Sequence, residues 1–122
     1  EPVLVLTIDT QERCLLMYPL SEWEVIERKI ESLPSFNKVT RRIQRLLIGH
    51  AAEVEMDGQG RVLLPPLLRE YAMIERTTKL VGQGKKFEIW SDRHWQDQCG
   101  QWVAANGEEE THLPQILENL SV

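Results

Sequence analysis

Apolar residues along this chain recur with two different periods, and the alternation between them lays out the elements. Short apolar runs over residues 3–6 and 14–18 read as two strands of one hairpin. Over 21–33 the period lengthens, with Trp23, Ile26, Ile30 and Leu33 on one helical face, and Pro34 ends that helix. Ser21 and Glu24 stand at the spacing of a capping box, in which each side chain satisfies a backbone N–H at the helix start. A second helix begins near Asn37 or Lys38. It turns Val39, Ile43, Leu46 and Leu47 inward and Arg41, Arg42 and Arg45 outward, with Gly49 as its stop.

Residues 52–56 alternate as a half-buried strand does, and Asp57-Gly58-Gln59-Gly60 then turns the chain into Arg61-Val62-Leu63-Leu64. Pro65 and Pro66 open a short helix through Tyr71, since proline fits the first helical turn. Two more apolar strands flank Gly82-Gln83-Gly84-Lys85, a hairpin signal because its two glycines accept positive φ. A helix over 91–103, a polar acidic loop over 104–111 and a weak helix over 114–120 complete the expected order.

The pattern occurs twice. Residues 14–23 can be laid over 86–95: each is an apolar strand ending in an aromatic, Tyr18 or Trp90, with Trp23 or Trp95 five residues later. Each copy is therefore a strand, a turn, a strand and a helix. The second copy is preceded by a strand, the Asp57 turn and a short helix. The equivalent of that lead-in for the first copy would lie before Glu1, which, with the missing initial Met, suggests a truncated or processed piece.

Composition narrows the class. The chain has 122 residues, 42% hydrophobic and 27% charged, as in ordinary globular domains. No apolar run approaches the roughly 20 residues that span a bilayer, and no secretory leader is visible. Two cysteines, Cys14 and Cys99, suit reduced thiols in a cytosol better than a disulfide framework. The net charge of -5 argues against binding nucleic acid through the mean charge. The distribution is another matter: residues 38–45 carry four cations and no anion, whereas 22–31 and 108–110 are strongly acidic.

Catalytic constellations are poor. His50, His94 and His112 are scattered, and no Cys or carboxylate set joins them at metal spacing. Gly82 to Lys85 lacks the Walker spacing and is a turn, not a phosphate loop. No enzyme, cofactor or small-molecule substrate is expected. Two features remain. Asp57, four residues before Arg61, either merely locks a turn or also projects Arg61 toward a phosphate or a guanine edge. The Arg41, Arg42, Arg45 face is read as solvated and paired with the Glu-rich helix before it, with nucleic-acid contact as the lesser alternative.

The unit built of a strand, the turn Asp57-Gly58-Gln59-Gly60-Arg61 with Pro65 beyond it, a short helix and a hairpin resembles the AbrB-like swapped-hairpin β-barrel family. Residues 14–23, 41–53, 56–61 and 80–90 bring the likeness closer to the MraZ family of regulators at the head of the bacterial division and cell-wall gene cluster. The resemblance covers nearly the whole chain and weakens after about Gly100. It implies an α+β fold of two AbrB-like half-motifs joined by two helices, pseudo-twofold, with the first half incomplete. The segments would be 1–19 for the first half, 20–50 for the helices, 51–92 for the second half and 93–122 for a helical tail. It further implies a cytoplasmic, nucleoid-associated repressor without a membrane partner. Such a protein assembles as a homo-oligomeric ring on direct repeats of double-stranded DNA upstream of its own operon. The resemblance links Arg61, with Asp57, to DNA contact; Arg69, Lys85 and Lys86, as further cations, are weaker candidates for contacts to backbone phosphates. The alternative is an AbrB-like antitoxin or protein-interaction module, working through the acidic tail 108–122.

Overall fold

A computed structural model of the chain describes residues 2–109, with side chains over 2–105. The chain divides into two units, 1–92 and 93–122. The first carries strands β1 (Val3–Ile8) and β2 (Leu15–Pro19) and helices α1 (Leu20–Glu31) and α2 (Lys38–Gly49). It continues with β3 (Ala52–Glu55), α3 (Pro66–Tyr71), β4 (Thr78–Gln83) and β5 (Lys86–Ser91). The α+β class is as expected.

The strands form one antiparallel sheet in the order β3-β1-β2-β5-β4. β1 lies inside the sheet and is covered on both faces, which is why both of its alternating sets are apolar or satisfied. Leu6 and Ile8 join Leu15, Ile89 and the α3-region residues Leu68, Ala72 and Ile74 in one core. Leu46 of α2 and Val62 and Leu64, just beyond the Asp57 turn, pack on that same core. Val5, Leu16 and Tyr18 meet Trp23 of α1 in a second core, flanked by Ile26, Leu47 and Ile48. The Tyr18 and Trp23 rings are 5.6 Å apart at 51°, a tilted contact that aromatic quadrupoles favour. Thr7 is fully buried, and its Oγ1 donates to the Leu47 carbonyl at 2.6 Å, so β1 and α2 are tied by a satisfied polar contact.

Two pairings bear on the repeat. β2 and β5, the strands that the two copies superimpose, pair through Leu15↔Ile89, Leu16↔Glu88 and Met17↔Phe87. β3, which leads into the second copy, pairs with β1 of the first.

Several local expectations need correction. No capping box forms: β2 runs through Pro19 straight into α1, Pro19 is the N-cap, and Ser21 lies inside the first turn, where it cannot cap. Leu33 falls past the end of α1 and Val39 sits in the first turn of α2, and they are 43% and 57% exposed. Asn37 caps α2, its Oδ1 accepting from Val39 N at 2.8 Å and Thr40 N at 3.3 Å. Gly49 belongs to α2, and His50 is the C-cap with an ordinary negative φ. In the second hairpin Gly84 alone has positive φ, at 73°, and the loop is Gly84-Lys85, the type II′ pattern. Gly82 lies within β4.

α3 opens with Pro66 and ends in a Schellman motif. Met73 N donates to Glu70 O at 3.0 Å and Ile74 N to Arg69 O at 3.1 Å, with Met73 at φ 57°. An L-residue is strained there, and Met73 is 47% exposed, so little packing offsets the strain. Met73→Gly is expected to stabilise the fold by up to about 1 kcal/mol, after the extra unfolded-state freedom of glycine is deducted. A melting temperature unchanged or lowered would refute this.

In the second unit, helix α4 (Asp92–Glu109) starts in the last residue of the first unit and runs past the expected stop near Val103. The expected loop at 104–109 is helical, consistent with the strong helix formers Ala104 and Ala105. Trp95 and Trp102, seven residues apart, meet edge to face at 6.0 Å. The expected helix at 114–120 lies outside the described residues.

Candidate nucleic-acid interface

The turn after β3 is closed by its own first side chain. Asp57 N donates to Arg61 O at 2.9 Å and Gly60 N donates to Asp57 O at 3.0 Å. Asp57 Oδ1 accepts from Gln59 N and Arg61 N, both at 2.9 Å, while Oδ2 accepts from Arg61 Nε at 2.9 Å. Gly60 supplies a φ of 79° that a β-carbon would strain. A carboxylate is required because one oxygen must take two backbone donors while the other faces a guanidinium. The backbone N–H groups of Arg61 and then Gln59, followed by the Arg61 guanidinium, hold the Asp57 carboxyl below its usual range.

What this presents outward is Arg61. Its side chain is 73% exposed, and only Nε is engaged by Asp57. The two terminal nitrogens make no hydrogen bond among the described residues and remain available as a fork, the part of arginine that matches a phosphate or the O6 and N7 edge of guanine. Locking the turn and displaying its arginine are thus compatible tasks of one carboxylate.

The other expected contact residues lie apart from this turn in sequence and element. Arg69 has a structural task, donating from Nε to Ile74 O at 3.1 Å and from Nη2 to Glu75 O, which fastens the chain after α3. Lys85 is exposed in the β4–β5 loop, and Lys86, at the start of β5, is half-buried.

The basic face of α2 departs from expectation. Lys38, Arg41, Arg42 and Arg45 are all exposed, and none has a carboxylate within 4.0 Å among the described residues. The anticipated pairing with the α1 glutamates does not form. Instead Gln44 Nε2 joins the helices by donating to Ile30 O at 3.0 Å, and Glu27 and Glu31 stand across a groove of about 580 Å³ from Arg41 and Arg45.

The β2–β5 pairing also gathers a group that sequence spacing did not reveal. Asp9, Cys14 and Glu88 bring their polar atoms within 4.8 Å of one another. Burial first, and then the Asp9 and Glu88 charges, push the Cys14 thiol far up, and its Sγ–H donates to Asp9 Oδ2 at 3.6 Å. Glu88 accepts from Trp90 Nε1 at 2.9 Å. Cys14 and Cys99 are both free.

A family model described as "MraZ protein, putative antitoxin-like" matches residues 4–46 and 47–113. A protein of Coxiella burnetii named "Transcriptional regulator MraZ" is 53% identical over 120 residues, covering 98% of this chain and 79% of its own length. Proteins of the same name from Legionella pneumophila and Halorhodospira halophila are 49% and 47% identical over 119 residues, each alignment covering 98% of this chain and 78% of the relative.

Proposed function

Because this chain belongs to the MraZ family, we propose that it is a DNA-binding transcriptional regulator that contacts DNA through Arg61. The observation that carries this reading is the Asp57-locked turn, which holds Arg61 by Nε alone and leaves its fork exposed. Phosphate contact positions a protein on DNA, and a guanine edge met by such a fork supplies sequence preference. Asp57 is then a positioning residue. Lys85 and Lys86 add backbone contacts, and Arg69 adds only what its inward-turned guanidinium leaves over.

In its finer form the protein is a repressor acting on direct repeats in its own promoter, ahead of division and cell-wall genes, as a homo-oligomeric ring. The pseudo-twofold, strand-exchanged pair of half-motifs is supported by the β2–β5 register, which is symmetric about Leu16↔Glu88, and by the β3–β1 pairing. Assembly is supported by residues 61–65, which carry no strand partner among the described residues. Leu63 and Leu67 are 87% and 76% exposed, apolar side chains that a neighbouring subunit would cover. A ring that meets several repeats raises the effective concentration of each further contact, so weak single sites add up. No helix among the described residues is long and apolar enough to cross a membrane. The interaction-module alternative rests on the acidic tail, most of which lies outside the described residues.

The test is binding of the intact protein to promoter DNA with one, two or three repeats, measured by fluorescence anisotropy. Affinity is expected to rise steeply with repeat number and to exceed that for unrelated DNA of equal length. Equal affinity for promoter and unrelated DNA would sink the reading.

A further inference from the structure

We propose that the basic face of α2 is a second DNA contact, a clamp for the phosphate backbone that reads no bases; this rests on the regulatory reading above. Lys38, Arg41, Arg42 and Arg45 stand at positions i, i+3, i+4 and i+7 and share one helix face. With Leu46 they line a concavity of about 430 Å³. Seven residues of helix rise about 10 Å, the length of about three base pairs of duplex.

Left alone, the arrangement is electrostatically unfavourable. Lys38 and Arg41 lie in the first turn, which carries no acidic residue, and cations there oppose the positive end of the helix dipole. Lys38 with Arg42, and Arg41 with Arg45, are like charges one turn apart. No carboxylate compensates any of them within 4.0 Å among the described residues. An anion laid along the face relieves all of these repulsions. The row of guanidinium groups suits phosphates, which arginine grips with paired N–H groups.

The occupant fits the rest of the molecule. In a chain of net charge -5, a run of four cations without an anion is a local device and not a general attraction for polyanions. Leu46, next to Arg45, and Val62, next to Arg61, pack on the same core. The segments that carry the clamp and the Arg61 turn therefore share one core.

The experiment compares wild-type protein, the triple variant Arg41→Gln/Arg42→Gln/Arg45→Gln, its charge-keeping counterpart Arg41→Lys/Arg42→Lys/Arg45→Lys, and Arg61→Ala. Affinities for repeat DNA and unrelated DNA are measured between 50 and 200 mM salt, after circular dichroism melts of each variant. Removing one cation from a phosphate lowers the slope of log affinity against log salt by about 0.9, so the glutamine triple should reduce the slope by roughly two to three. It should weaken both DNAs by a similar factor, about tenfold or more at the higher salt, and the lysine triple should restore most of the slope. The inference is overturned if the glutamine triple keeps the wild-type slope while Arg61→Ala loses affinity, because the regulatory reading then stands without the clamp. It is also overturned if the triple changes the preference for repeat over unrelated DNA, which would make these residues base readers. If wild-type protein shows no salt-dependent DNA binding, the regulatory reading itself fails and takes the clamp with it.

Discussion

Replacing Arg61 with Ala is expected to lower affinity for repeat DNA by about 1–3 kcal/mol per site, the range of one good bidentate base contact, while leaving the melting temperature unchanged. The second half follows from exposure: an ion pair at a solvated turn adds little to folding. Two substitutions at Asp57 separate its roles. Asp57→Asn keeps an oxygen for the Gln59 and Arg61 backbone N–H groups but sets an amide NH2, a donor, against Arg61 Nε, so the turn survives, the hold on the guanidinium is lost, and binding should fall modestly. Asp57→Ala removes all three bonds, frees the turn, and should approach the effect of Arg61→Ala. Wild-type affinity in Arg61→Ala would remove the turn from the DNA surface. The pH dependence has a definite sign. Asp57 is depressed in the folded chain, so its stabilising effect is fully present above the ordinary carboxylate range and fades only as pH falls through the lower folded value. Between pH 5 and 8, DNA binding should show no titration from this residue.

The Asp57 turn was legible in the sequence because its chemistry is local: a carboxylate, a glycine and an arginine within five residues can satisfy only a few geometries. The elements were legible for the same reason, since apolar periodicity is a local property. The misses lie where distant partners decide. The α1 start depends on β2 running through Pro19, which no capping spacing reveals. Arg41 and Arg45 looked ready to pair with nearby glutamates, but the Gln44–Ile30 bond sets the helices so that the charges remain apart. Arg69 resembled a surface cation until the carbonyls of Ile74 and Glu75 folded back onto it. The Asp9, Cys14 and Glu88 cluster depends on which strands neighbour each other. The two-copy pattern in the sequence did point to β2 and β5 as equivalent strands, though not to their pairing.

A large stability effect should come from Leu6→Ala. Leu6 is fully buried in an inner strand, between neighbours β3 and β2, and its side chain fills the core shared by α3 and β5. Such a deletion costs about 2–5 kcal/mol, combining the forfeited transfer energy with the cavity left behind. For a unit of this size the midpoint should drop on the order of 10 °C or more. Leu63→Ala is the matched control: at 87% exposure it should change the melting of dilute protein within about 0.5 kcal/mol. Its effect should appear instead in the mass of the native assembly, shifted toward smaller species. A Leu6→Ala midpoint within a degree or two of wild type would contradict the core described above.

The single bond from Arg61 Nε to Asp57 also decides when the arginine loses its freedom. A long cationic side chain ordinarily surrenders its rotamers on meeting DNA, at the expense of affinity. Here the carboxylate restrains the guanidinium before any partner arrives, so part of that entropy is given up during folding. Weakening the restraint should therefore show mainly as faster dissociation, with the rate of encounter, set by long-range charge, nearly unchanged.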